Sequence, residues 1–268
     1  MCNQILKLNS TSRILSFLAI ALLVLVIAAD GRPIFAQTSA TKTFSSASEA
    51  SNALFQAAKD GDEQQLETIL GAGKDVTSSG DAVEDKLERE QFTKKYEEMH
   101  RLVQENASST ILYIGAENWP FPIPLVLSNG AWHFDSDAGK KEILFRTIGE
   151  NESSAIAVCN SFAAEVKQGR PENADDDEIA RYAKQLASTS KTESGNAVSE
   201  AFRGYYFQRK NTSGHVSLIA YPAKYRSSGV MTFLVTEKGI VFEKDLGPTT
   251  SAAAQTVRNT DSSWEPSE

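Results

Sequence analysis

"NWPFPIPLVLSNGAWHFD", residues 118–135, decides how the first half of this chain folds. Asn129 and Gly130 stand between two alternating apolar runs, and both tolerate the positive φ that a two-residue type I′ turn requires. A hairpin follows, with Leu127 opposite Trp132 and Leu125 opposite Phe134 on one face, and Val126 opposite His133 on the other. That register makes one face a core face and the other mixed. Pro120, Pro122 and Pro124 are spaced by two, so their three missing N–H groups fall on one flank of the strand. Residues 120–124 therefore form an edge, or leave the sheet as an extended arm, before 125–134 pairs regularly.

Upstream of the hairpin, "STILYIG" (109–115) reads as the first strand of its sheet. Helices come before it. "SASE" is a capping box in which Ser46 accepts from the third helical N–H and Glu49 reaches back, and Ala50, Ala53, Leu54, Ala57 and Ala58 share the following face. Gly61 ends that helix, and Asp62 with Gln65 starts a second whose Leu66, Ile69 and Leu70 point inward. After the link "GAGKDVTSSG", Asp81 and Glu84 repeat the cap. Val83, Leu87, Phe92, Tyr96, Met99 and Val103 then mark a stripe to about residue 103, a helix lying on the sheet.

Downstream, residues 137–148 and 151–168 read as two helices parted by Gly149, the second with Ala155, Cys159, Phe162 and Val166 on its core face. "QGRPENADDDE" is a link, a short helix reaches about Leu186, and "STSKTESGNAVSE" is flexible in composition, so 168–200 is expected to be chiefly loop. "FRGYYFQRK", "HVSLIAYP", "GVMTFLV" and "GIVFEKD" form an antiparallel meander. Residues 249–268 are expected to be a polar tail. The fold class is α+β, with subdomains at 44–149 and 150–248.

At the other end, Lys7 and Arg13 precede the 16-residue apolar run 14–29. That order predicts a secretory signal peptide over 1–36, cut after Ala36 or Ala29, with 37–43 a polar leader. The alternative is an inner-membrane anchor at 14–29, although the run is shorter than the roughly 20 residues that span a bilayer. Export to the periplasm or outside the cell is expected. Losing 1–36 removes Lys7, Arg13, Arg32 and Asp30, so 27 basic and 35 acidic residues become 24 and 34, a net charge of −10. Nucleic acid and anionic membrane surfaces are poor partners for such a surface. Cys2 leaves with the signal, which leaves Cys159 with no intrachain partner.

Six blocks in order, "FSSASEASNALFQAAKDGD", "GKDVTSSGD", "WPFPIPLV", "GAWHFDSDAGKKEILFRTIGENE", "FRGYYF" and "YPAKYRSSGVMTFLVTEKGIVFEKDLGP", resemble the exported bacterial family catalogued as domain of unknown function 2950. The resemblance covers 44–248 and implies export, with no established activity to carry over. Family members have a longer middle segment where this chain has "KQGRPENADDDEIARYAKQLASTSKTESGNAV", so a site built there would be missing here. Two partial resemblances concern fold. The helices before "GAWHFD" are similar to the cone-shaped α+β fold of the nuclear transport factor superfamily, which often holds a pocket between helix and sheet. The helix at 151–168 with its meander is similar to a pseudopilin head.

The chemistry is sparse. His100 lies near a helix C-terminus, where a structural role is favoured, and His215 begins a strand. There is no HExxH, no cysteine pair and no histidine pair at i, i+4, so neither a metal nor a cofactor is expected. "DDDE" at 175–178 lacks the alternate spacing and central glycine of a calcium loop and reads as a helix N-terminus. Three residues keep a ligand-binding reading: His133 on the mixed face, Trp119 beside the prolines, and Arg203 next to Gly204, where a glycine in a strand permits close approach. The wider aromatic set Phe121, Trp132, Tyr205, Tyr206, Phe207, Tyr221 and Tyr225 is expected to be mostly core.

The expectation is an exported, non-catalytic envelope module that binds a partner protein or a small ligand. A pocket enzyme using His133 with Asp135 or Glu142 is the first alternative, and a pseudopilin-like role in assembly or secretion is the second.

Overall fold

The computed structural model of the protein describes residues 41–71, 73–78, 80–168, 177–188, 200–212 and 215–267. The expected signal segment at 1–36, the leader up to residue 40, and residues 169–176 and 189–199 of the expected loop lie outside the described residues. Among those described, no helix is long and apolar enough to cross a membrane.

Helix α1 (Ala47–Asp60) starts on Ser46, whose hydroxyl accepts from the Glu49 N–H; Glu49 reaches back to Ser45 rather than to Ser46. Gly61 ends it in the left-handed region at φ 67°, where its N–H reaches the Ala57 and Ala58 carbonyls. Asp62 caps α2 (Glu63–Leu70) through the Gln65 N–H. A 3₁₀ turn (Gly73–Val76) follows, and Asp81 caps α3 (Ala82–Glu98).

Two expectations for α3 change. The helix ends at Glu98, because Met99 is extended, and His100 to Asn106 form a strand instead of a last helical turn. The Asn106 side chain accepts from the Ser108 N–H at 2.9 Å and turns the chain back, so that β1 (His100–Asn106) pairs with β2 (Ser109–Ile114). The stripe is also rotated. Val83 and Leu87 are 70% and 53% exposed, while Tyr96 is buried, its ring stacked on Phe55 at 4.5 Å and its hydroxyl 3.0 Å from that of Ser51. Large aromatic area outweighs two aliphatic side chains in setting which face turns inward.

The hairpin has the expected register. β4 (Leu125–Ser128) and β5 (Ala131–Phe134) pair Leu125 with Phe134, Val126 with His133 and Leu127 with Trp132, around Asn129 at φ 53° and Gly130 at φ 78°. The first sheet runs β1-β2-β4-β5, with β3 (Trp119–Pro120) also on β2. Trp119 and Pro120 pair with Ile114 and Tyr113, and the Phe121 N–H reaches the Leu112 carbonyl at 2.7 Å. The chain then leaves the sheet over 122–124 and returns with Leu125 beside Thr110. The arm reading holds for 122–124, while Pro120 stays in the sheet, paired with Tyr113. The outer edge of β5 is closed by Phe44, which exchanges two backbone hydrogen bonds with Trp132.

Gly149 does not end a helix. One 33-residue helix, α4 (Ser136–Gln168), runs through it. Residues 150–157 hold no proline or further glycine, and packing at both ends of α4 offsets the roughly 1 kcal/mol that an interior glycine costs. The boundary expected at 149/150 falls inside this helix. Its second half covers the second sheet with Ala155, Val158, Cys159, Phe162 and Ala163, while Val166 is 44% exposed.

That sheet consists of β6 (Tyr205–Thr212), β7 (His215–Pro222), β8 (Met231–Val235), β9 (Val241–Asp245) and β10 (Glu265–Pro266). Their order across the sheet is β10-β9-β8-β7-β6. Helix α5 (Glu178–Ser188) adds Ala183 and Leu186 to the core on the α4 side. Residues 249–268, expected as a tail, instead supply α6 (Thr250–Thr256), the buried Trp264 and β10. The reason lies in β7 and β8, which are apolar on both faces. Leu218, Ala220, Phe233 and Val235 face α4, so Ile219, Tyr221 and Leu234 need a second cover, and Ala254 and Trp264 provide it.

Candidate functional site

The proline arm builds one wall of a cavity of about 850 Å³ that α3 and the first half of α4 flank. Its floor is apolar, made by Leu54, Ala58, Leu66 and Leu70 from α1 and α2 with Ile114 of β2. The arm contributes Trp119, Phe121, Pro122 and Ile123. Two contacts hold the arm on α4. Arg146 donates to the Pro120 carbonyl at 2.8 Å, the free side of the short β3, and Ile123 packs on Gly139. A Cβ on Gly139 would lie 2.6 Å from Ile123 Cγ1, so the absence of a side chain there is what lets the arm come so close.

Aromatic rings line the inside. Phe92 of α3 meets Phe121 at 5.6 Å between centroids, and Trp119 stands at the mouth, 42% exposed, with the Arg146 guanidinium 4.9 Å from its ring centre. Charged side chains line the cavity as well. Arg146 is paired with Glu142 at 2.8 Å, Lys95 with Glu117 at 2.9 Å and Arg89 with Glu63 at 3.5 Å. Asp85 is buried and accepts from the Ser78 hydroxyl at 2.6 Å. Glu88 and Glu150 line the cavity as well, and partial desolvation, then Glu84 and Asp85, raises the Glu88 carboxyl above its ordinary range.

Of the three sequence candidates, Trp119 is in the cavity wall, and the other two are elsewhere. His133 is half-buried on β5 opposite Val126 and does not line the cavity. Arg203 is in a turn rather than a strand: Phe202 and Tyr205 exchange backbone hydrogen bonds across Arg203 at φ 45° and Gly204 at φ 75°. Its side chain is 47% exposed, with the guanidinium paired with Glu178 at 2.8 Å. Asp135 accepts from the Ala138 N–H at the start of α4, and Glu142 is taken by Arg146. No hydrogen bond joins His133 to either acid among the described residues.

His100 has a structural setting. Its Nδ1 is 2.9 Å from the Tyr96 carbonyl, which can only accept, and its ring stacks on that of Tyr96 at 3.9 Å. His215 opens β7 opposite Thr212. Of "DDDE", Asp177 accepts from the Ile179 N–H at the start of α5, and residues 175 and 176 lie outside the described residues. Cys159 is fully buried in the second core, where burial pushes its thiol far up. Among the described residues no group of three or more His, Cys, Asp or Glu could hold a metal ion.

What sequence reasoning missed is the polar wall, Asp85, Glu88, Arg89 and Arg146. A signal was present: Asp85, Arg89, Phe92 and Tyr96 share one helical face, displaced from the stripe through Val83 and Leu87. Chemically the arrangement can desolvate an apolar body and hold a polar end at its rim.

The model of the family described as "Protein of unknown function (DUF2950)" matches residues 41–201 and 192–266. The two stretches meet in the middle segment. No curated protein and no solved structure matches the chain.

Proposed function

The chain belongs to the DUF2950 family, and we propose that it acts as an exported, non-catalytic binding module whose ligand enters the cavity between α3, α4 and the proline arm. The observation that carries this reading is a preformed cavity of about 850 Å³ lined by apolar and aromatic side chains with a few charged groups among them. Ligand sites have this make-up and this size, about 300–1,000 Å³. The chemistry in the walls fits binding better than turnover, because the Ser78 hydroxyl is bonded to a carboxylate and neither His100 nor His133 lines the space. Export is supported by the charged, apolar and small-residue order of residues 1–36 and by the single cysteine that follows.

The test is a thermal-shift screen of the purified protein across sugars, peptides and amphiphiles. A true ligand at a hundred times its Kd should stabilise the fold by about 2.7 kcal/mol. Thr147→Trp, which places an indole at the cavity wall on α4, should abolish that shift. No shift with any class, or a shift that survives Thr147→Trp, refutes the reading. The intact mass of protein recovered from the cell exterior or periplasm tests export: a mass near 29.2 kDa contradicts removal of residues 1–36.

A further inference from the structure

The charges around the cavity are unequally matched. Each lining cation already has a carboxylate partner that does not line the cavity: Arg89 has Glu63, Lys95 has Glu117 and Arg146 has Glu142. The carboxylates of Glu88 and Glu150 line the same space, and neither has an ion-pair or hydrogen-bond partner among the described residues. The rim therefore carries a net negative field over an apolar, aromatic interior.

Building on the proposed binding role, we infer that the cavity selects an amphipathic cation, with an alkyl or aryl body on Phe92, Phe121 and Ile123 and an ammonium or guanidinium head at Glu88 and Glu150. An amphipathic anion meets the opposite situation. At Arg89, Lys95 and Arg146 it competes with a protein carboxylate already in place, while Glu88 and Glu150 repel it. A neutral amphiphile gains the apolar burial and no more. Partial desolvation, then Glu84 and Asp85, raises the Glu88 carboxyl, and a cation beside it opposes that shift by favouring the charged form.

The experiment uses three probes that share one body, decylamine, decanol and decanoate, below their micellar concentrations at pH 7. Each is titrated by calorimetry into the full protein and into the Glu88→Gln, Glu150→Gln double variant. Decylamine should bind at least about tenfold more tightly than decanol, about 1.4 kcal/mol, with decanoate weaker than both. The double variant should bind decylamine and decanol alike. Unchanged decanol affinity shows that its cavity is intact. Equal affinities in the wild type, or tighter decanoate, overturn the cation inference and leave the cavity a binding site. An amine preference that persists in the double variant overturns the assignment to Glu88 and Glu150. No saturable binding by any of the three overturns the cation inference, while the binding role is decided separately by the thermal-shift screen.

Discussion

Gly139→Ala should destabilise the protein, against the helix propensity of the two residues. Gly139 lies in the first turn of α4, where alanine is favoured over glycine by up to about 1 kcal/mol. The structure opposes that gain. An added Cβ would sit 2.6 Å from Ile123 Cγ1, 3.0 Å from Cγ2 and 3.1 Å from Cβ, whereas carbon atoms pack at about 3.5–4.0 Å. Ile123 cannot swing away cheaply: it is β-branched, only 2% exposed, and fixed in a short arm between β3 and β4. Overpacking of this kind costs about 1–3 kcal/mol, so the expected net loss is about 1–2 kcal/mol. Urea unfolding should show a lower midpoint with an unchanged slope. Ile123→Ala alone should cost about 2–5 kcal/mol by leaving a void. The double variant should be less destabilised than the sum of the two by about 1–2 kcal/mol, because the methyl then enters the space the isoleucine left. Trp119 emission should shift in Gly139→Ala, since the displaced arm carries the indole at the cavity mouth. A Gly139→Ala protein more stable than wild type, or strictly additive with Ile123→Ala, would refute the contact and with it the wall of the cavity.

Other outcomes follow from buried groups in the second half. Lys210 donates to the Ala254 and Val257 carbonyls at 2.7 and 2.6 Å, and Lys210→Met should cost about 1–3 kcal/mol by leaving the end of α6 unbonded. Burial first, and Arg258 second, push that ammonium from 10.5 to about 8. The folded state thus releases this proton before the unfolded chain does, so its contribution to stability is lowest below pH 8 and rises from there toward pH 10. The deficit of Lys210→Met in chemical denaturation should therefore be larger at pH 10 than at pH 7, and parallel pH profiles would contradict this. Cys159, buried beneath β6 to β8 with its thiol raised, should resist an aromatic disulfide reagent until the protein is unfolded, and rapid native labelling would refute its placement. Trp264→Ala should cost about 3–5 kcal/mol by calorimetry, whereas a true tail would show no change. Arg203→Ala should change stability by less than about 0.5 kcal/mol, because its partner Glu178 is exposed and the pair is screened.

Local signals were legible wherever the determining chemistry lay within a few residues. The caps at Ser46, Asp62 and Asp81, the stop at Gly61, the Asn129-Gly130 turn with its full register and the four meander strands are all of that kind. The prolines at 120, 122 and 124 likewise announced an arm, since a missing N–H is a property of the residue itself. The sequence alone therefore determined the α+β class, the family resemblance and Trp119 as a candidate.

Tertiary structure decided the rest, because the competing local options differed by about a kilocalorie and distant partners chose between them. Gly149 stayed helical since α4 has a core to serve at each end. The face of α3 was chosen by Phe55 and Ser51 against Tyr96, which left Val83 and Leu87 in solvent. Residues 249–267 were drawn into the fold by the second apolar face of β7 and β8. The cavity belongs to the same class of outcome. Its arm, α3 and α4 lie far apart in sequence, and Glu88, Arg89 and Arg146 become a rim only when the Ile123–Gly139 contact and the Arg146–Pro120 hydrogen bond bring them around one apolar floor.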